Sequence, residues 1–252
     1  MMLSVEKVTV KFDAFTAVDE VSFHVAPGEL IGLAGTNGAG KSTLFAAIAG
    51  QMRPCGGRIM FSGVDITRQA PHKRAAHGLA RTFQVPREFG SLTVLENLLA
   101  AAPNEQSESM MAAWLFRGAA ARRESHWIRH ADAVLDLLDI SHIRELPAKS
   151  LSGGQKKLIE LARILMRKPK IVLLDEPFAG VNPVLIGEIM KALKTLSEQG
   201  IALVVVEHHL QALKSLATRL VVMDQGKILA EGNPSEVLES EKVQAAYMGG
   251  VV

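Results

Sequence analysis

Two clusters of residues carry the types and spacing needed for phosphate chemistry. The first is Gly35-Thr-Asn37-Gly38-Ala39-Gly40-Lys41-Ser42-Thr43, which matches G-x-x-x-x-G-K-[ST]. Its glycines let successive backbone N–H groups turn inward, and the helix expected to follow adds partial positive charge at its N-terminus. Lys41 is then positioned for the β- and γ-phosphates of a nucleotide, and the Ser42 hydroxyl suits Mg²⁺. Gly35, Asn37, Gly38, Ala39, Gly40, Lys41, Ser42 and Thr43 together form the expected cradle. The plainer alternative is a glycine-rich turn that binds nothing. The second cluster is Asp175-Glu176, closing the apolar run Ile171-Val-Leu-Leu. A strand ending there aims Asp175 at the Mg²⁺ region, where a hard oxygen ligand is required. Glu176 is placed to polarise a water for in-line attack on a γ-phosphate. Alone, the pair reads better as two solvated acids at a strand end; following the phosphate loop in an α/β chain, the functional reading prevails.

Such groups need strand ends and helix starts to hold them, and the chain supplies both. Apolar runs at residues 30–34, 171–174 and 202–206 alternate with helical stretches at 43–49, 184–196 and 210–217. That rhythm predicts a mostly parallel sheet covered on both faces. Residues 3–12, 20–25 and 58–61 read as antiparallel strands beside this core. Residues 90–166 read as wholly helical, an inserted lobe. Runs at 220–223 and 227–230 flank Asp224-Gln225-Gly226, a hairpin turn. One amphipathic helix is expected after Asn233-Pro234, to about Met248. The fold class is therefore α/β, within a single domain spanning the chain.

Composition narrows the function. The 252 residues are 48% apolar and 21% charged, ordinary for a globular chain able to bury a sizeable core. Twenty-eight basic and 26 acidic residues give a net charge of +2, too even for a dedicated nucleic-acid binder. A single cysteine excludes a disulfide framework or Cys-built zinc site, and Cys55 is assigned no role. The start, MMLSVEKVTVKF, lacks the basic and apolar regions of a signal peptide. No apolar run approaches the ~20 residues of a membrane span.

Leu151-Ser152-Gly153-Gly154-Gln155 makes the pattern specific. With the phosphate loop, Gln84 after Arg81-Thr82-Phe83, the acidic strand end and His208, the chain resembles an ABC-type ATPase over essentially its whole length. Asp175-Glu-Pro-Phe-Ala-Gly-Val-Asn-Pro183, the Arg81–Gln84 run and a tail from Glu231-Gly-Asn-Pro to Ala246-Tyr-Met-Gly249 are similar to the branched-chain amino-acid uptake ATPases. Urea/amide-uptake and lipopolysaccharide-export ATPases are also similar.

The resemblance implies a P-loop NTPase (RecA-like) core with an antiparallel β subdomain and an inserted α-helical subdomain. Core and β subdomain would span about 1–89 and 167–230, the helical lobe about 90–166, and a C-terminal helix about 231–252. It implies ATP and Mg²⁺, with Ser42, Gln84 and Asp175 around the metal, and Glu176, His208 and Gln84 as the hydrolytic group. Ser152, Gly153, Gly154 and Gln155 would form a second cradle for ATP held by another ATPase subunit, in a homodimer or heterodimer. Ser152 also reads as an ordinary helix N-cap. Phe12 would stack on adenine, a contact tolerant of base, or serve as a plain core residue.

Two positions depart from the family pattern: His209 follows the switch histidine where Asp is common, and Asn182 stands where many relatives carry Asp. The first leaves open which imidazole acts. Further implied partners are transmembrane permease subunits and, for an importer, a solute-binding protein, with no nucleic acid. The resemblance implies a peripheral location on the cytoplasmic side of the inner membrane. The segment Val85–Leu92, with Pro86, Arg87 and Phe89, directly after Gln84, is expected to abut the membrane subunit. The segment 104–130, with Trp114, Phe116, Trp127 and four arginines, reads as a partner or membrane surface, or as a solvated outer helix with its aromatics in the lobe's core. Remaining alternatives are an exporter's energy subunit, a soluble ABC ATPase such as one serving iron–sulfur assembly, and a regulatory module that binds ATP without turnover. Intact Lys41, Glu176 and His208 disfavour the last.

Overall fold

The computed structural model describes residues 1–82, 88–103 and 117–249. It divides into two compact units. One comprises residues 1–84, 169–179 and 193–252, the other 85–168 and 180–192.

The first unit contains two sheets. β1 (Leu3–Phe12), β2 (Phe15–Val25), β4 (Gly56–Phe61) and β5 (Val64–Asp65) form an antiparallel sheet in the order β2-β1-β4-β5. β3 (Leu30–Gly35), β6 (Leu79–Arg81), β7 (Ile171–Asp175), β8 (Ala202–Val206), β9 (Arg219–Asp224) and β10 (Lys227–Gly232) form the second, ordered β10-β9-β3-β8-β7-β6. Its strands pair in parallel except β10, which returns antiparallel along β9. β3, β7 and β8 are buried at every position, as continuous apolar runs covered on both faces must be. The β9–β10 turn has left-handed Gln225 (φ 45) and Gly226 (φ 81), the two-residue turn whose twist suits a hairpin.

Helix α1 (Lys41–Ala49) joins both sheets in one core, burying Leu44, Phe45 and Ile48 among Leu3, Val21, Ile59, Ile171 and Val204. Its C-terminal end is closed by a residue with no apolar character. Arg74, on α2 (Pro71–Ala76), is 1% exposed. Its guanidinium donates to the carbonyls of Ala47 and Ile48 at 2.7 Å each, and to Thr67 and Gln69 at 3.0 Å each. Burial pushes its pKa down to about 10. The planar fork reaches both helix-end carbonyls at once, supplying Ile48 O and adding to the Gly50 N–H bond at Ala47 O.

Among its described residues the second unit is helical, with one isolated bridge between Thr93 and Pro147. Its helices are α3 (Val94–Ala101), α4 (Arg117–Leu137), α5 (Gly153–Leu165) and the start of α6 (Pro183–Glu198). Residues 180–192 join this unit, whereas the sequence places them with the core. The reason is local packing: a Cβ on Gly154 would lie 1.7 Å from Leu185 Cδ2, so the helix start nests against the bare backbone of α5. α7 (Leu210–Leu216) belongs to the first unit.

The C-terminal segment corrects a second expectation. Two short helices, α8 (Pro234–Glu239) and α9 (Glu241–Gly249), replace the single one. Asn233 caps the first by accepting from Ser235 N. Ser240 then takes an extended conformation (ψ 135), and its hydroxyl donates to Val237 O at 2.8 Å, ending that helix.

Replacing Arg74 with Met keeps the volume but removes the hydrogen bonds it gives to four carbonyls. It should destabilise the protein by about 3 kcal/mol. Arg74→Lys should recover only part of that loss, because an ammonium cannot reproduce the planar fork. Urea denaturation of the three proteins measures both effects.

Candidate functional site

Parallel pairing puts strand ends in a row. Leu33 of β3 lies opposite Val206 of β8, and Val206 opposite Asp175 of β7. The residues following each strand therefore emerge at one carboxyl edge, where open α/β sheets build their sites. Gly35, Glu176 and His208 all leave from it.

The phosphate loop is shaped by steric exclusion. A Cβ on Gly35 (φ 147) would meet Met223 O at 2.2 Å, and one on Gly40 (φ 96) would meet Ala17 O at 2.3 Å. Gly40 precedes α1, and no side chain caps that helix among the described residues, so its first-turn N–H groups face the loop. The β9–β10 turn braces the loop from the side, Gly226 N donating to Ala39 O at 3.1 Å. Lys41 is 5% exposed, and its ammonium donates to Gly35 O at 2.7 Å and Thr36 O at 2.8 Å. Burial lowers its pKa from the usual lysine value, opposed by the nearby carboxylates of Glu176 and Asp175. Cradle, lysine and both acids thus form one electrostatic neighbourhood.

Within that neighbourhood the acids differ. Asp175 is nearly buried, and its Oδ2 accepts from Arg81 Nη2 at 2.8 Å. Arg81 also donates to Gln51 Oε1 at 2.6 Å. Asp175 Oδ1 is buried with no hydrogen-bond partner among the described residues. A buried carboxylate oxygen left over in this way fits a hard cation. Ser42, exposed in the first turn of α1, offers a second oxygen. No cluster of three or more His, Cys, Asp or Glu occurs among the described residues. That donor set suits Mg²⁺, which is held by few protein oxygens together with substrate phosphates.

Glu176 adopts φ 49, a left-handed conformation costly for a residue with a side chain. Its N–H donates to Val206 O at 2.9 Å, and its Oε1 lies 3.0 Å from His208 Nε2. The choice between imidazoles has a geometric answer. His208 meets the acid, while His209 Nδ1 accepts from Ala212 N at 3.3 Å as the N-cap of α7. Asn182 behaves similarly, its Oδ1 accepting from Leu185 N at 3.0 Å where α6 begins.

Phe12 is 47% exposed and Phe15 63%, paired across the β1–β2 turn. Phe12 is therefore not the plain core residue of the alternative reading. Phe15 had no sequence signal beyond being aromatic.

In the helical unit, Ser152 Oγ accepts from Gln155 N at 3.3 Å and Gln155 Oε1 accepts from Ser152 N at 3.0 Å, a reciprocal capping box. Ser152 and Gly153 are exposed, and a Cβ on Gly153 would meet nothing within 4 Å, so this helix start is open. Phe89 is held by Asn97, which is fully buried and bonds both its N–H (2.8 Å) and its carbonyl (3.0 Å). The Arg163 guanidinium lies 5.2 Å from the Phe89 ring centre, and Glu88 pairs with Lys156 at 2.7 Å. Trp127 packs edge-on to His126 and His130, with the Lys168 ammonium 5.6 Å from its ring centre. Phe83, Gln84, Val85, Pro86, Arg87, Trp114 and Phe116 lie outside the described residues.

Sequence reasoning missed three groups here. Arg81 was legible only as part of the run before Gln84, not as the partner of Asp175. The hairpin brace at Gly226 had no signal. Glu207, 4% exposed beside His208, had none either.

The geometry agrees with the relatives. The ABC transporter family model matches residues 18–179, and a model described as branched-chain amino acid ATP-binding cassette transporter matches 227–252. The chain is 37% identical to the probable branched-chain amino acid transport ATP-binding protein LivG of Methanocaldococcus jannaschii, covering 98% of this chain and 97% of the relative. It is 33% identical to the lipopolysaccharide export system ATP-binding protein LptB of Escherichia coli K12, covering 92% and 90%. Among solved structures, a nucleotide-free ATP-binding cassette superposes with TM-score 0.84 at 35% identity, covering 98% of each chain. The ADP conformation of the cassette MJ1267 gives 0.83 at 33% identity, again covering 98% of each. This chain belongs to the ABC transporter ATP-binding family, whose members bind and hydrolyse ATP.

Proposed function

We propose that this chain is the energy subunit of an importer for branched-chain amino acids or a related small amide, working as a dimer beneath membrane-spanning permease subunits. The approach of Glu176 Oε1 to His208 Nε2 at 3.0 Å, beside the lysine-bearing loop, carries the hydrolytic part. The loop N–H groups and Lys41 hold the triphosphate, with Phe12 under the adenine. Glu176 takes a proton as water bonds to the γ-phosphorus and the bridge to ADP breaks, while His208 orients the water and the γ-phosphate. Ser42, Asp175 and Gln84 would hold Mg²⁺, which when bound neutralises charge on the β- and γ-oxygens.

Ser152, Gly153, Gly154 and Gln155 would close over the nucleotide of the second ATPase subunit, through the open N-terminus of α5. Substrate class rests on the match of residues 227–252 and on relatives such as LivG. No helix among the described residues is long and apolar enough to cross a membrane, which accords with a peripheral place on the cytoplasmic face beside permeases. An importer would also use a solute-binding protein. The nucleotide core with its β subdomain and the helical lobe that carries Ser152 are the working parts of this reading.

Purification from detergent-solubilised membranes should recover two multi-span permeases, and cells lacking this chain should lose uptake of leucine, isoleucine or valine. Loss of envelope lipid export instead would favour the exporter reading that LptB suggests. A soluble cysteine-rich partner would oppose both.

Lys41→Ala should weaken ATP binding by at least tenfold, read by calorimetry, because the phosphate-facing ammonium is gone. Phe89→Ala should reduce co-purification of permeases several-fold while leaving ATP affinity within about twofold, since the ring is half exposed and remote in sequence from the cradle. Glu176→Gln should cut turnover by roughly 10²–10⁴-fold with ATP still bound. By light scattering that variant should be a dimer in ATP and a monomer without it. Adding Ser152→Arg should return it to monomer; persistence of the dimer would contradict the shared site.

A further inference from the structure

The residue beside His208 has a defined job within the fold. Glu207 follows the last residue of β8, yet its side chain turns inward and is almost completely buried. Its two carboxylate oxygens are spent on different targets. Oε1 accepts from Phe178 N at 2.7 Å, on the segment that follows Glu176. Oε2 accepts from His208 N at 3.1 Å. Its own N–H points at Leu33 O of β3, at 3.4 Å.

These bonds complete a ring of contacts between two segments. Glu176 N reaches Val206 O at 2.9 Å, Phe178 N and His208 N share Glu207, and Glu176 Oε1 meets His208 Nε2 at 3.0 Å. Phe178 is itself buried, so the segment is anchored on both sides of its bond to Glu207. The carboxylate thus adds two bonds to the Glu176 backbone bond and the side-chain pair that already join these segments. The left-handed backbone of Glu176 is a strained conformation of the kind that persists only where surrounding contacts enforce it.

We propose that Glu207 is a positioning residue for hydrolysis: it bridges Phe178 N and His208 N and thereby sets the separation of Glu176 from His208. Both of its carboxylate oxygens are taken by backbone donors, so it acts through the pair. The inference rests on the assignment of that pair as the hydrolytic group.

Glutamine is an informative replacement. It has one oxygen, so one of the two N–H donors must face an amide –NH₂ and lose its acceptor. Misplacing reacting groups by about an ångström costs on the order of 10²-fold. Glu207→Gln should therefore lower kcat by roughly 10- to 100-fold, with KM for ATP within about twofold, because the phosphate cradle is untouched. The decisive comparison uses the full chain as wild type, Glu207→Gln, His208→Ala and the double variant, with ATP turnover and equilibrium ATP binding measured for each. A residue that works through the pair loses its effect once the pair is gone, so the double variant should match His208→Ala within about threefold.

Losses that multiply in the double variant, or a Glu207→Gln defect in KM rather than kcat, would overturn the proposal. So would an unchanged kcat in Glu207→Gln. Failure of the underlying assignment has a separate signature: His208→Ala alone would keep normal turnover. Should Glu207→Gln fold poorly, as melting would reveal, Glu207→Asp keeps the buried charge but is one methylene too short to reach both N–H donors. It should show the same selective loss of kcat, and normal turnover there would count against the bridge.

Discussion

Leu33, Val206 and Asp175 stand side by side because β3, β8 and β7 pair in parallel without slippage. Everything chemical in the protein depends on that register. In a parallel sheet every strand leaves by the same edge, so the loop after β3, the acid after β7 and the histidine after β8 are delivered to one place. A one-residue slip would turn each strand's side chains to the opposite face and separate the three. Complete burial of the three strands protects the register, since a slip would be resisted on both faces.

Around that edge, precision comes from polar groups placed where water cannot compete. Arg74 closes the far end of the helix whose near end faces the phosphate loop. Arg81 fixes one oxygen of Asp175 and leaves the other uncommitted. Glu207 joins the segments that bear the acid and the histidine. Arg74 and Glu207 are buried, and Arg81 is partly buried against the buried Asp175, so these bonds act where losing a partner is expensive. The strain stored at Glu176 is tolerable in that frame.

The helical unit works by different means. Its α5 is capped reciprocally by Ser152 and Gln155, which makes the helix start self-sufficient within one chain. Gly154 is required for close packing on Leu185, whereas Gly153 leaves the adjoining face bare. A helix that is already capped and still exposes its N-terminus can receive an anion without first being folded by it. Phe89, pinned through its backbone by Asn97, likewise presents a ring on a rigid mount.

Local pattern was enough for the parts that chemistry dictates locally. The phosphate loop, the acidic strand end, the alternating strands and helices, and the capped start of α5 all follow from residue type and short-range spacing. These are features in which neighbours in sequence are also neighbours in space. What the sequence withheld depends on partners far apart in the chain. His208 rather than His209 meets Glu176 because the second imidazole is consumed in capping α7. Arg74, Arg81 and Glu207 looked like ordinary charged residues until the fold set them against backbone and side chains elsewhere, Arg74 and Glu207 fully buried. Residues 180–192 went with the helical unit because Leu185 fits the bare backbone at Gly154, and the C-terminal helix broke at Ser240 because a hydroxyl there competes for the backbone. Sequence determined which groups this protein carries; tertiary packing decided which of them touch, because burial selects partners that spacing along the chain does not encode.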